Sequence, residues 1–491
     1  MEKIGMRKGL VLNLISNLMF FISGYLIHYY LGGHTSAAAY GVVGTIITVL
    51  DFEYMFTSNG ARQSLARNIS SGKFNVVDVI VKTFAFQAII VAVFFAINFF
   101  GAPVFGMIFN DSSLDFYFKL AAFLPISNGL YVMMLGINDG LQRFQYSAFL
   151  ATFYPIVKLG VIPLIIFVFP HDPVMGVEVG YFSAMMITIV LGLALLVPIW
   201  PKLRVSGTNR IGFGEVSHGV LSFSFFFIMA SLVLSADTLV VKSVVEPDSM
   251  AGYYTGAMNF GKTTYYLLQA FAVIILPVVS GLITNGKAEE ASRKAQSLVL
   301  VAFGFIFPMA VVISATSRDL LSTFYKPAFT VAAPALSCLA LSSFFMGMTV
   351  IFNMVLNAEK DTRFSDILSI VSLALVIPIF VVSAKFGGIT AIAAASMVST
   401  FIVMTLSYLE VRRRMMNLMT VRTWKVIGIN VGVWVALFAI SHVMTVENFL
   451  ILAALYVVIY AVYVGLLFAA KVVDIDLLKS LKKPKDQAAS Q

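Results

Sequence analysis

Residues Met250–Lys287, MAGYYTGAMNFGKTTYYLLQAFAVIILPVVSGLITNGK, decide how the chain is read: they form an apolar run of membrane-spanning length with one cation in its interior, Lys262. If the helix starts near Met250, a rise of 1.5 Å per residue places Lys262 about 18 Å along it, near the middle of a hydrocarbon core about 30 Å thick. Steps of three and four residues from Lys262 pass through Thr255, Asn259, Tyr266 and Gln269, so the run carries a polar stripe on one helical face. Lipid tails offer that stripe no hydrogen bonds, so it is expected against protein or a water-filled cavity.

The rest of the chain agrees with this reading. Of its 491 residues 59% are apolar and 12% charged, with a mean hydropathy of +0.93, a composition that excludes a soluble domain. Apolar segments of spanning length fall at 10–31, 37–60, 80–100, 117–138, 146–169, 176–199, 215–241, 250–283, 296–316, 331–357, 365–384, 388–409, 424–444 and 449–470. They predict an all-α polytopic membrane protein with fourteen transmembrane helices. The run at 10–31 is too long for the apolar part of a secretory signal and is expected to be the first permanent span. The single cysteine, Cys338, excludes an internal disulfide. His28, His34, His171, His218 and His442 lack metal-site spacing, so no metal and no other cofactor is expected.

Counted from a cytoplasmic N-terminus, most basic residues fall in inner loops and tails, among them Arg67, Lys73, Arg143, Lys202 and Arg412-Arg413-Arg414. Lys119, Lys242, Arg318, Lys326 and Lys385 fall outside. This asymmetry predicts a multi-pass protein of the cytoplasmic membrane with both termini inside. Contacts with anionic membrane lipids account for the net charge of +9, and no nucleic-acid partner is expected. The two halves repeat. Tyr40 and Ser71-Gly72-Lys73 are spaced like Tyr254 and Asn285-Gly286-Lys287, and Arg143-Phe144 recurs as Arg363-Phe364. Six helices per copy insert both copies in the same direction. The expected organisation is an N-terminal six-helix lobe at 1–210, a C-terminal six-helix lobe at 211–415, and helices thirteen and fourteen with a cytoplasmic tail at 416–491.

Polar groups inside the spans are the candidate site. Lys262, Lys158 in the fifth helix and Arg62 at the inner end of the second are candidate cations for an anionic headgroup. Asn17, His28, Thr48, Ser231, Asn259, Tyr266 and Gln269 are expected to line a polar cavity. Asp51, Glu53 and Asp237 are candidates for ion coupling, with Asp237 near an outer helix end, solvated or paired with Lys242. In the second helix Gly41, Gly44, Thr48, Asp51, Ser58 and Arg62 share one face, and Glu53 lies nearly opposite. Each of these has a plainer reading. Small polar stripes pack helices together, Arg62 at the boundary snorkels, and Asp51 with Lys262 or Glu53 with Lys158 would make a buried structural ion pair.

The sequence also resembles a known family. Ser235-Ala236-Asp237-Thr238, Gly252-Tyr253-Tyr254, Pro277, Tyr325-Lys326-Pro327-Ala328, Asn353-Met354-Val355-Leu356-Asn357-Ala358 and Gly387-Gly388-Ile389-Thr390-Ala391 resemble, in order and spacing, the polysaccharide transport branch of the multidrug/oligosaccharidyl-lipid/polysaccharide flippase superfamily. The resemblance implies two six-helix lobes around a central cavity. It also implies a flippase that moves a polyprenyl-(pyro)phosphate-linked oligosaccharide across the cytoplasmic membrane by alternating access, not an enzyme. Its partners would be that lipid-linked saccharide, the surrounding membrane lipids and a coupling ion, H+ or Na+.

Two alternatives lie within the superfamily, a lipid II flippase and a cation-coupled multidrug antiporter. A third comes from another class, a polytopic membrane glycosyltransferase or polymerase. That enzyme needs paired carboxylates at a membrane surface; the close outer pair Asp111 and Asp115 is expected to be solvated. The chain carries no P-loop GxxxxGK[ST], so ATP is not the expected energy source.

Overall fold

The computed structural model describes residues 6–203, 209–269, 279, 282–283, 285–357, 363–415, 417–446, 448–470 and 472, without the side chains of 6–14, 59, 202 and 221–231. The described chain is helical; its one extended feature is a backbone bridge between Phe74 and Asn209. The long helical stretches are Met6–His34, Ala37–Ser70, Val76–Phe100, Ser113–Gly140, Phe144–Phe167, Pro173–Ile199, Phe213–Val244, Ser249–Gly261, Ala288–Ala315, Pro327–Asn357, Arg363–Arg414, Val421–Val443 and Phe449–Ala469. Among the described residues, 10 helices are long and apolar enough to cross a membrane.

The apolar segments read from the sequence fall on these helices, except that 250–283 runs in part through residues outside those described. Two of them, 365–384 and 388–409, lie in the single stretch Arg363–Arg414, which breaks at Gly388 with φ 59° and ψ −148°. A side chain is strained at that backbone geometry, so the break falls on glycine. Helix starts carry side-chain caps: Ser36 accepts from the Ala39 amide, Asn75 from that of Asp78 and Asp172 from that of Met175.

The chain forms two compact units, residues 1–256 with 369–389, and 257–368 with 390–491. In the first, Gly60–Ser70 packs along Phe123–Gly140, and Leu65, Ile69, Met134, Ile137, Leu150 and Ile189 build a core that Val216 and Val220 extend. Phe213–Val244 lies against Ala37–Tyr54 and Gly60–Ser70 in the same unit. In the second, the buried rings of Phe303, Phe307 and Phe344 meet one another, Phe303 edge to face with the other two. The buried Asn430 there donates to the Tyr463 hydroxyl at 2.8 Å and the Val426 carbonyl at 2.9 Å. Val421–Val443 and Phe449–Ala469 expose Val431, Val435, Val457 and Val458, a surface that lipid tails satisfy.

Each unit contains a π-helical turn, Met55–Asn59 in the first and Ala302–Ile306 in the second. Widening a helix by one residue per turn displaces its carbonyls from their usual donors. Side chains from other helices take the place of those donors. Gln87 donates to the Thr57 carbonyl at 2.6 Å, and Asn430 and Tyr460 donate to the Phe303 and Phe305 carbonyls. The first π turn also corrects the expected stripe of the second helix. Gly41, Gly44 and Thr48 precede it, with Gly41 and Gly44 facing Ala251, Gly252 and Thr255. Ser58 and Arg62 lie within and after it and face Phe123–Gly140, through Asn128 and Asp139. The inserted residue rotates the later part of the helix, so a constant period of 3.6 does not carry across it.

Candidate functional site

The first unit buries two lysines and handles them differently. Lys158 ends the helix Phe144–Lys158, just before Leu159 and Gly160. It is 7% exposed, and its Nζ lies 4.4 Å from the Tyr181 ring centroid and 5.1 Å from that of Phe20. Ring faces attract a cation by about 0.5–2 kcal/mol, more when water is excluded. Among the described residues no carboxylate lies within ion-pairing distance of this ammonium; Asp51 is the acid whose charge reaches it. The expected Glu53–Lys158 pair does not form. Glu53 is buried and accepts instead from Asn98 Nδ2 at 2.9 Å. Next to it, Asn128 donates to the Thr57 and Ser58 hydroxyls at 2.9 and 3.0 Å.

Lys242 lies at the far end of Phe213–Val244, with its side chain 1% exposed. Its Nζ reaches Asp111 Oδ2 at 2.7 Å and Asp248 Oδ1 at 2.9 Å. Beside this pairing, Asn110 donates to the Ser243 carbonyl at 3.0 Å. Burial alone would raise the Asp111 carboxyl, but hydrogen bonds from Lys242 and Ser113 outweigh it and hold the group below the usual aspartate value. Asp111 is therefore not the solvated loop acid expected from the sequence. Asp237 is buried rather than solvated, and accepts from the Tyr254 hydroxyl at 2.9 Å and the Thr238 amide at 2.7 Å. At the same end the helices touch backbone to backbone. A Cβ on Gly252 would stand 1.8 Å from the Ala37 carbonyl oxygen, and one on Gly41 2.8 Å from the Gly252 nitrogen.

The other expected site residues are dispersed. Arg62 is engaged by Asp139 at 2.7 Å, with Ser147 at 3.4 Å. Asn17 is exposed between Ile15 and Leu18, which are exposed as well. His28 Nδ1 pairs with the Tyr40 hydroxyl at 2.7 Å, and Thr48 donates to the Gly44 carbonyl of its own helix. The side chain of Ser231 lies outside the described residues. In the second unit Asn259 donates to the Tyr325 hydroxyl at 3.1 Å, and Lys262, Tyr266 and Gln269 are each partly buried. Lys262 sits in a turn between two helical runs, after Gly261.

The residues missed from sequence are Asn98, Asn128, Glu178 and the pairing of Lys242 with Asp111. For the two asparagines the signal was an amide within an apolar span. Among the described residues, no group of three or more His, Cys, Asp or Glu is placed to hold a metal ion.

Ionisable groups buried in helices of membrane-spanning length are costly and mark candidate functional sites. Comparison with known proteins refines this. A family model described as MatE matches residues 223–382. The lipid II flippase MurJ in an inward closed conformation superimposes with a TM-score of 0.68 at 16% identity, covering 94% of this chain and 100% of that one. An inward-facing multidrug resistance MATE family transporter of the MOP superfamily gives 0.62 at 14% identity, over 84% and 98% of the two chains. An outward-facing one gives 0.55 at 16% identity, over 83% and 96%. No curated relative matches. The chain has the fold that these transporters share.

Proposed function

We propose that this chain is a flippase that moves a polyprenyl-(pyro)phosphate-linked oligosaccharide across the cytoplasmic membrane by alternating access of two six-helix lobes. The observation that carries this reading is Lys158, an ammonium buried within helices of membrane-spanning length, held by ring faces, with no carboxylate at pairing distance among the described residues. An anionic headgroup is the counter-charge such a cation attracts, because charge-assisted bonds strengthen away from water. Lys262, partly exposed after Gly261, is the second headgroup candidate. The fold match to MurJ along the whole of that chain supports a lipid-linked substrate, with lipid II itself as one member of the class. In the topology expected from basic residues, the end that carries Lys242, Asp111 and Gly252 faces outward.

The reading is tested with the purified protein in proteoliposomes containing a fluorescent polyprenyl-pyrophosphate disaccharide. Wild type is expected to translocate the probe, and Lys158→Met to lose at least about tenfold while remaining folded. Translocation that Lys158→Met leaves unchanged would remove the headgroup assignment, and none by wild type under any pH or sodium gradient would remove the flippase reading. The MatE match at 223–382 favours a cation-coupled drug antiporter as the second reading. Ion-driven extrusion of an organic cation by the same vesicles would establish it.

A further inference from the structure

Glu178, the sixth residue of Pro173–Leu196, has no role in the site described above. It is 3% exposed, and neither carboxyl oxygen has a hydrogen-bond partner among the described residues. It lines a cavity of about 10 Å³ whose other walls are Val43, Ile46, Ile47, Leu50, Leu124, Val174, Val177 and Tyr181. That space is at the lower limit for one water molecule.

The acids and bases on the neighbouring helices are engaged elsewhere. Asp172 caps its helix and accepts from Tyr117; Asp115 pairs with Lys119 and Asp139 with Arg62. On Ala37–Tyr54, Glu53 is taken by Asn98 and the charge of Asp51 acts on Lys158, while Lys158 itself lies against Tyr181 and Phe20. The other ionisable side chains on these helices are tyrosines: Tyr40 is bonded to His28, Tyr131 packs on Tyr154, Tyr146 lies beside Arg143, and Tyr54 is on the same helix as Glu53. Val161–Phe167 contributes no ionisable group.

We propose that Glu178 is a proton-binding site, with H+ rather than a metal ion as its ligand. Neither carboxyl oxygen has a donor here to stabilise an ionised form, and apart from Tyr181 the other lining side chains are aliphatic, too few oxygens for the coordination shell of a sodium ion. A proton needs neither space nor further ligands. The cavity also has a way to open. Its walls Val43, Ile46, Ile47 and Leu50 belong to Ala37–Tyr54, the helix whose Gly41 closely approaches Gly252. Separation of that contact shifts the helix and uncovers the carboxyl, so that the proton exchanges with water when this end opens. The exchange step rests on the transporter reading; the protonation does not.

The test is infrared difference spectroscopy of the full-length protein in liposomes. Wild type near pH 7 is expected to give the C=O stretch of a protonated carboxylic acid, lost in Glu178→Gln and retained in Glu53→Gln and Asp51→Asn. Glu178→Asp should shift the band, and it serves if the glutamine variant fails to fold. A band unchanged by both Glu178 substitutions, or one that disappears when sodium is added at constant pH, would overturn the proposal. For the exchange step, Gly252→Ala should speed hydrogen–deuterium replacement at this band severalfold; an unchanged rate would overturn it. Neither readout uses a saccharide, so failure of the flippase assay leaves the proton site standing.

Discussion

Lys242 and Lys158 are both buried in one unit, and the contrast between them separates a charge paired within the protein from one that is not ion-paired among the described residues. Lys242 lies between two carboxylates at a helix end, so its charge is neutralised within the protein. Lys158 is surrounded by rings, which stabilise an ammonium without cancelling its charge. The first arrangement ties the end of Phe213–Val244 to the loops at Asp111 and Asp248. The second leaves the ammonium among rings, with the charge of Asp51 acting on it from beyond pairing distance. A buried cation gains most from an added anion where no carboxylate is paired with it.

Breaking the first arrangement should have the largest effect. Asp111→Ala combined with Asp248→Ala leaves Lys242 buried and unpaired, and should destabilise this end of the helix by about 3–5 kcal/mol. This would be read as rapid labelling of a cysteine at Val240 in a Cys338→Ala background. Acid should cause part of the same break. The Asp111 carboxyl is held below its ordinary value, so its contribution is fully present above the unfolded value of about 3.9 and declines as pH falls through the lower folded value. Labelling should therefore rise below about pH 4 in wild type, and less steeply in Asp111→Asn.

Next is Gly252→Ala. Its Cβ would collide with the Ala37 carbonyl oxygen, so the end should open at a cost of about 1–3 kcal/mol, seen as a lower melting temperature and faster labelling. Lys158→Met should sharpen the contrast. It keeps the stem and removes the charge, so stability should change by less than about 1.5 kcal/mol while headgroup-dependent transport falls. The smallest effect is expected from Asp248→Asn. The Asp248 side chain is 60% exposed, and its share of the pairing is worth about 0–1 kcal/mol.

The helices were legible from the sequence because a membrane allows little else: long apolar segments with basic loops have one low-energy form. Gly388 is a clear example, since the two segments read at 365–384 and 388–409 meet at a backbone geometry that suits glycine. Partners were not legible. Asp111 and Lys242 are 131 residues apart, and nothing local to either indicates the other. Glu53 was placed on the correct helix but matched to Lys158, because periodicity gives a face and not its neighbour. Glu178 sits in a segment so uniformly apolar that a single acid left no stripe to detect.

The π turn at Met55–Asn59 has a consequence for any comparison made by aligning sequences. Removing one residue from it would restore an α-helix and turn everything beyond it by about 100°. Arg62 would be carried away from Asp139, and Leu65 away from the core it helps to build. A deletion of any one residue between Met55 and Asn59 should therefore be far more damaging than an alanine at the same position. Homologous chains that differ by one residue here would have polar faces out of phase with this one, even where their residues match.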